Sequence, residues 1–307
     1  MSELDLTLSA RAPQKALPSP LVVLELLKPI TWFPPMWAFL CGVVSSGAPL
    51  TTRWSTAVLG AVLAGPAICA TSQAANDWFD RHVDAINEPG RPIPSGRLPG
   101  RWGLLVALVW TLLSLLLAAA LGGPILPAAV LGLALAWAYS APPLRLKQRG
   151  WCGPIAVALC YEGLAWFTGA AAAGGGVPPL KVLALAALYS GGAVGIMVLN
   201  DFKSIEGDVR TKTLSVPAEL GVANAVFLAC VIMAAPQVVV VALLLSWGAR
   251  IGAGVIAVSL IVQLLLMRRL VAAPAARAPW YNQTGVSLYV LGMLAAGIAV
   301  GRLGAPL

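Results

Sequence analysis

Charged positions divide this chain into long neutral runs. Residues 29–52, 54–76, 102–144, 163–180, 182–200, 220–249, 251–267 and 278–301 contain no Asp, Glu, Lys or Arg. A helix needs roughly 20 apolar residues to cross the hydrocarbon core of a bilayer. The run 102–144 is long enough for two crossings, and GGPILP at 122–127 supplies the turn between them. Residues 151–161 extend the run 163–180 backwards, with Glu162 as the interruption. The pattern predicts nine helices, near 20–47, 54–79, 102–121, 125–141, 153–173, 180–202, 221–246, 250–270 and 282–302.

Composition agrees with that pattern. Of the 307 residues 59% are hydrophobic and only 10% charged, with a mean hydropathy of +0.85; soluble domains carry about 25% charged residues. The predicted fold class is therefore an all-α integral membrane protein. The first residues, MSELDLTLSARAPQKALPSP, carry acids early and no apolar core, so they read as neither a secretory signal nor a transit peptide. The expected organisation is a short flexible cytoplasmic arm over 1–19 and a single membrane-embedded domain over 20–307. Cys41, Cys69, Cys152, Cys160 and Cys230 stand singly, without CxxC spacing. That pattern suits packing residues rather than a disulfide framework or a zinc site.

Basic residues predict the orientation. With nine crossings, one set of loops holds 16 Lys and Arg residues and the other holds only Arg53, Lys181, Arg250 and Arg302. The richer side is expected to be cytoplasmic, with the active site opening to it and the carboxyl terminus across the membrane. The formal charge of +8 is thus spread over one membrane face, where it meets anionic headgroups or an anionic ligand. No folded soluble domain remains to carry a nucleic-acid role.

Acids are more localised. Apart from Glu3, Asp5, Glu25, Glu162 and Glu219, all lie in NDWFDRHVDAINE (76–88) and NDFKSIEGD (200–208). The two stretches close the second and sixth predicted helices on the same side. Gln73, Asp77, Asp80 and Asp84 fall at i, i+4, i+7 and i+11, one face of a helix. Carboxylates stacked in that way repel one another, and near lipid their desolvation is costly. A hard divalent cation makes the arrangement favourable, and Mg²⁺ commonly bridges one or two carboxylates to a substrate phosphate. In the second stretch Asp201 and Asp208 share a face, whereas Glu206 joins them only if the backbone unwinds near Gly207.

Two loops add cations. EPGRPIPSGR (88–97) has three prolines and two glycines, so it is expected to be shaped, with Arg91 and also Arg97 held over the carboxylate face. YSAPPLRLKQRGW (139–151) brings Tyr139, Arg145, Lys147 and Arg149. Guanidinium and ammonium groups beside metal-binding helix ends make a diphosphate site.

These stretches are also where a resemblance appears. NDxxDxxxD on the second helix, a second acidic motif on the sixth, and nine helices resemble the UbiA-type intramembrane prenyltransferases. KPITWFPPMWAFLCGVVSSG (28–47), NDWFDRHVDAINEPGRPIPSGR (76–97), YSAPPLRLKQRGWCG (139–153) and NDFKSIEGD (200–208) are most similar to the chlorophyll and bacteriochlorophyll synthase branch. The resemblance implies esterification of the C17 propionate of bacteriochlorophyllide with geranylgeranyl or phytyl diphosphate, and release of pyrophosphate. It places Asn76, Asp77, Asp80 and Asp84 on one Mg²⁺ and Asp201 with Asp208 on a second. It gives Arg91, Lys147 and Lys203 to the diphosphate and Tyr139 to the lining of the reacting centre, with Asn200 and Glu206 beside the substrates. It further implies a bacterial cytoplasmic or intracytoplasmic photosynthetic membrane, and contact with pigment-biosynthesis or light-harvesting assembly proteins. Ser204 stands where the wider superfamily has the first acid of a DxxxD motif, which leaves the second set of metal ligands open.

Five further residues stay open between two readings. Lys28 is an interface anchor or a charge for the pigment carboxylate. Trp32 and Trp37 stack on a flat substrate or form an interfacial belt. Glu162 serves a substrate cavity or is a hydrogen-bonded packing residue, with Tyr161 as its partner. His82 ligates a pigment magnesium or is a solvated loop residue. Competing functions are a chlorophyllide-specific enzyme, another aromatic prenyltransferase of the superfamily, and a carboxylate-based transporter. Transporters place such acids near the midplane, whereas here both clusters sit at helix ends on one side.

Overall fold

The computed structural model describes residues 17–203, 205 and 214–304. Most of the predicted arm 1–19, and Glu206 and Asp208 of the second acidic stretch, lie outside the described residues.

Among the described residues, seven helical spans are long and apolar enough to cross a membrane, and two shorter apolar helices, Phe33–Ser45 and Ile125–Ser140, complete the predicted pattern. The first predicted helix is, however, two helices. α1 (Pro20–Leu27) stops at Lys28, whose φ of 48° is left-handed, and α2 (Phe33–Ser45) begins beyond it. Pro29 causes the break, because proline disfavours a right-handed helical conformation in the residue before it and offers no N–H. Thr31 secures the corner by donating to the Lys28 carbonyl from both its N–H (2.9 Å) and its Oγ1 (2.8 Å).

The second span starts as α3 (Leu50–Val62), passes through a π turn at Leu63–Cys69, and continues as α4 (Ala70–Asn87), well past the predicted end near residue 79. Pro66 sits inside that turn, and its carbonyl accepts the Trp110 indole N–H at 3.0 Å. Then come α5 (Trp102–Leu121), α6 (Ile125–Ser140), α7 (Cys152–Ala158), a second π turn (Leu159–Leu164), α8 (Ala165–Gly174) and α9 (Leu180–Asn200). The chain ends in helices Val222–Ser246, Arg250–Ala272 and Pro274–Gly304. The last starts eight residues before its predicted start at 282. The GGPILP turn forms as expected, with Gly122 and Gly123 at φ 66° and 52°.

In lipid, tails are as apolar as leucine, so helices associate by close packing rather than by hiding apolar surface from water. α2 and α8 show this directly. A Cβ on Gly42 would stand 2.0 Å from the Trp166 carbonyl oxygen, and one on Gly169 would stand 2.0 Å from that of Phe39. Beside this crossing, Trp166, Tyr189 and Tyr289 form a buried aromatic row with centroids 5.6 and 5.3 Å apart. The Trp166 indole donates to Ser45 Oγ at 2.9 Å and the Tyr289 hydroxyl to the Tyr189 carbonyl at 2.6 Å. Large apolar side chains such as Leu108, Leu112 and Leu116 point outward, as a lipid-facing surface requires.

Candidate active site

α4 presents its acids as its periodicity predicts, with Asp77 and Asp84 buried and Asp80 partly so. The structure also shows what the spacing could not: a base from a different element meets each carboxylate. Lys28 Nζ lies 2.6 Å from Asp77 Oδ1. Arg91 Nη1 reaches Asp84 at 2.7 Å and Asp77 at 3.3 Å, while its Nε and Nη2 hold the two Glu88 oxygens at 2.6 Å each. Lys147 Nζ bonds Asp80 Oδ2. Like-charge repulsion along the face is thereby cancelled. Lys28 is thus neither an interface anchor nor free for a pigment carboxylate in this state.

The loop between α4 and α5 is shaped, as its prolines and glycines require. Ser95 N–H donates to the Arg91 carbonyl (3.0 Å) and Leu98 N–H to that of Pro92 (2.9 Å), and Gly96 turns with φ 76°. Leu98 plugs into the core at 1% exposure. This fold aims Arg91 at the carboxylates, but Arg97 goes elsewhere. It takes both Glu25 oxygens on α1, at 2.5 and 2.7 Å, and so does not lie over the acidic face. That pair holds the Glu25 carboxyl below its ordinary range, chiefly through the Arg97 hydrogen bonds. Burial pulls the Arg91 guanidinium down, yet Glu88, Asp77 and Asp84 together push it above its ordinary value. Burial pulls the Lys147 ammonium down, with Asp80 opposing.

A cavity of about 410 Å³ opens beside this face, within the roughly 300–1,000 Å³ usual for small-molecule sites. Asn76, Tyr139, Lys147, Asn200 and Asp201 give it a polar end, so the two Asn-Asp helix ends meet at one space. Pro35, Ala64, Ile68, Gly132 and Cys160 give it an apolar end, and the same five residues line a smaller pocket leading on into the bundle. Both π turns face the cavity, through Ile68 and Cys69 on one and Cys160 and Tyr161 on the other. π turns frequently mark functional positions.

The remaining candidates are placed as follows. Asn76 donates to Ser140 Oγ at 3.2 Å. Trp32 packs with its N–H on the Leu27 carbonyl (2.8 Å), and Trp37 with its own on Val290 (3.0 Å); neither lines the cavity. Tyr161 bonds Cys69 Sγ (3.3 Å) and Gln73 Nε2 (3.2 Å) rather than Glu162. Glu162 is buried outside the cavity lining, and its Oε2 has no partner among the described residues. His82 is exposed. Arg145 turns to the carbonyls of Ser140 and Phe79, and Arg149 to that of Pro143. Lys203 closes a 3-10 turn at Asp201–Lys203. Asn282 went unrecognised in the sequence; its Nδ2 donates to Asn200 Oδ1 at 2.8 Å. It sits in the last helix, which carries no motif, so the sequence held no signal for it.

The donor set suits a hard cation. Asp77 Oδ2 is a buried carboxylate oxygen without a partner among the described residues, the kind of acceptor that Mg²⁺ takes. Among those residues no three His, Cys, Asp or Glu side chains already stand as a ligand cluster, and the three α4 aspartates are each turned toward a base.

Comparison with known proteins agrees with this architecture. The family described as the UbiA prenyltransferase family matches residues 31–301. The chain is 54% identical over 286 residues to the bacteriochlorophyll synthase 33 kDa chain of Cereibacter sphaeroides, covering 93% of this chain and 95% of that one. It is 42% identical to the 34 kDa chain of Chloroflexus aurantiacus, over 90% of this chain and 89% of that one. Among solved structures, a UbiA homolog from Archaeoglobus fulgidus bound to GPP and Mg²⁺ superposes with a TM-score of 0.65 at 21% identity, over 92% of this chain and 99% of that one. The fold, the two acidic helix ends and a family match over most of the chain therefore agree: this chain belongs to the UbiA prenyltransferase family.

Proposed function

We propose that the enzyme esterifies the C17 propionate of bacteriochlorophyllide a with geranylgeranyl or phytyl diphosphate and releases pyrophosphate. The observation that carries this reading is the single cavity with two ends, one reached by both acidic helix ends and Lys147, the other apolar and continuing into the bundle. Identity to bacteriochlorophyll synthase chains over nearly the whole length supports the pigment as acceptor.

In this reading Asn76, Asp77, Asp80 and Asp84 hold one Mg²⁺, and Asp201 with Asp208 a second. When bound, the metal neutralises charge developing on the departing diphosphate. Lys147, released from Asp80, and Arg91, still gripped by Glu88, supply the remaining positive charge. The apolar end excludes water from the allylic cation and holds its tail. Tyr139 lines the polar end of the same cavity. The acceptor is a carboxylate already ionised near neutral pH, so attack needs no general base from the chain. We place the enzyme, as one membrane domain over 20–307, in a bacterial cytoplasmic or photosynthetic membrane, with the acidic helix ends toward the cytoplasm.

The test uses membranes containing the protein, bacteriochlorophyllide a, geranylgeranyl diphosphate and Mg²⁺, and follows esterified pigment into an apolar solvent. Esterification that needs both wild-type protein and metal supports the reading. Esterification of chlorophyllide alone overturns the acceptor assignment, and esterification that persists in EDTA overturns the metal chemistry.

A further inference from the structure

Lys28 bonds a carboxylate that the proposed chemistry assigns to a metal. Its base is fixed by the left-handed turn before Pro29 and by the two hydrogen bonds that Thr31 makes to its carbonyl. Its head is not fixed in the same way, since an ammonium on a four-carbon stem swings freely. The head makes one strong contact, 2.6 Å to Asp77 Oδ1. Arg91 is different, because Glu88 grips its fork from the other side. A magnesium ion sits roughly 2.0–2.1 Å from each oxygen ligand, so an ion on Oδ1 would meet the Lys28 ammonium. The other Asp77 oxygen is buried and without a partner among the described residues, which gives an incoming ion a first foothold.

We infer that Lys28 is a built-in competitor for the metal at Asp77, one that yields only when an anionic diphosphate gives its ammonium a new partner. This rests on the reading that the α4 acids bind metal. Two consequences follow from linkage. Metal alone binds poorly, since it must displace an ammonium that then has no counter-charge. Metal and diphosphate bind with positive coupling, and by reciprocity each raises the affinity of the other by the same factor. The carboxylates thus load with metal together with substrate rather than ahead of it.

The experiment needs no pigment. The full chain in detergent is titrated with Mn²⁺, a hard ion that suits the same oxygen ligands, and free Mn²⁺ is read by electron paramagnetic resonance. Each titration is run with and without inorganic pyrophosphate. Lys28→Met is expected to tighten Mn²⁺ about tenfold without pyrophosphate, and to shrink the coupling to pyrophosphate by a similar factor. Lys28→Arg, which keeps a cation at the position, is expected to stay near wild type. Mn²⁺ should also raise the unfolding temperature of Lys28→Met more than that of wild type. Unchanged or weaker Mn²⁺ binding by a folded Lys28→Met overturns the inference while leaving the metal site standing. If Lys28→Met does not fold, Lys28→Gln takes its place under the same criteria. Wild type that binds no Mn²⁺ even with pyrophosphate overturns the metal reading itself, and the competitor with it.

Discussion

Asp80 and Lys147 lie 67 residues apart in the chain and form one buried-edge ion pair at the cavity. Neither charge is comfortable alone beside lipid, and truncating one partner strands the other. Asp80→Asn is therefore expected to lower esterification by about a hundred- to a thousandfold, the usual cost of losing one group that stabilises transition-state charge. Lys147→Met should do likewise, and pigment partition measures both. Retention of more than a tenth of wild-type activity by either would remove that residue from the reaction. The acids themselves were legible because a helical period of 3.6 puts Asp77, Asp80 and Asp84 on one face. Of their partners only Arg91 was legible, from the shaped loop that follows α4; the pairings of Lys28 with Asp77 and Lys147 with Asp80 were not, because those two bases arrive from distant segments. Asn282 was illegible for the same reason: a single polar residue in a helix has no pattern until its neighbour Asn200 is beside it.

Elements are set by a few local exceptions to helical rules. The break at Lys28–Pro29 turns the expected first helix into α1 and α2, and α1 then docks through Glu25 and Arg97. Both partners are exposed, so the pair is weak and sensitive to salt. Arg97 holds the Glu25 carboxyl below its ordinary value of 4.5. The stabilisation is then fully present above that value and lost as pH falls through the lowered folded value. The unfolding-temperature gap between wild type and Glu25→Gln should stay constant from neutral pH down to about 5 and close below it. A gap that widens in acid would contradict the pairing. Proline before a helix is visible in a sequence; the π turn at Leu159–Leu164 is not, since no proline marks it. Deep in the bundle, Gln237 and Gln263 exchange amide hydrogen bonds at 3.1 and 3.0 Å between two helices, both fully buried. Gln237→Leu leaves Gln263 without that partner and should cost about 1–3 kcal/mol. The double change to leucine should recover much of it, because both polar groups then leave the lipid-like core. Thermal unfolding of the single and double variants in detergent checks the cycle, and additive losses would show that the pair does not act as a unit.

At the scale of the whole molecule, the acids and the bases make one claim about sidedness. The bias of Lys and Arg is the argument for our proposal that the acidic helix ends face the cytoplasm, but at this site several of the bases serve carboxylates, so the count mixes topology with chemistry. A chemical probe separates the two. Cys152 is the one exposed cysteine among the described residues; Cys41, Cys69 and Cys230 are buried and Cys160 partly so. It starts α7, next to Gly153, which packs against the Lys147 backbone at the mouth of the cavity. A membrane-impermeant maleimide should therefore label the wild-type chain in inside-out vesicles and leave it unlabelled in intact spheroplasts. Cys152→Ser should abolish the signal. Labelling only from the outer face would place the cavity mouth across the membrane, and the diphosphate would then have to come from the far side. The same vesicles can be given a water-soluble diphosphate as inhibitor. Inhibition confined to the preparation in which Cys152 is labelled would tie the orientation of the helices to the entry side of the charged substrate.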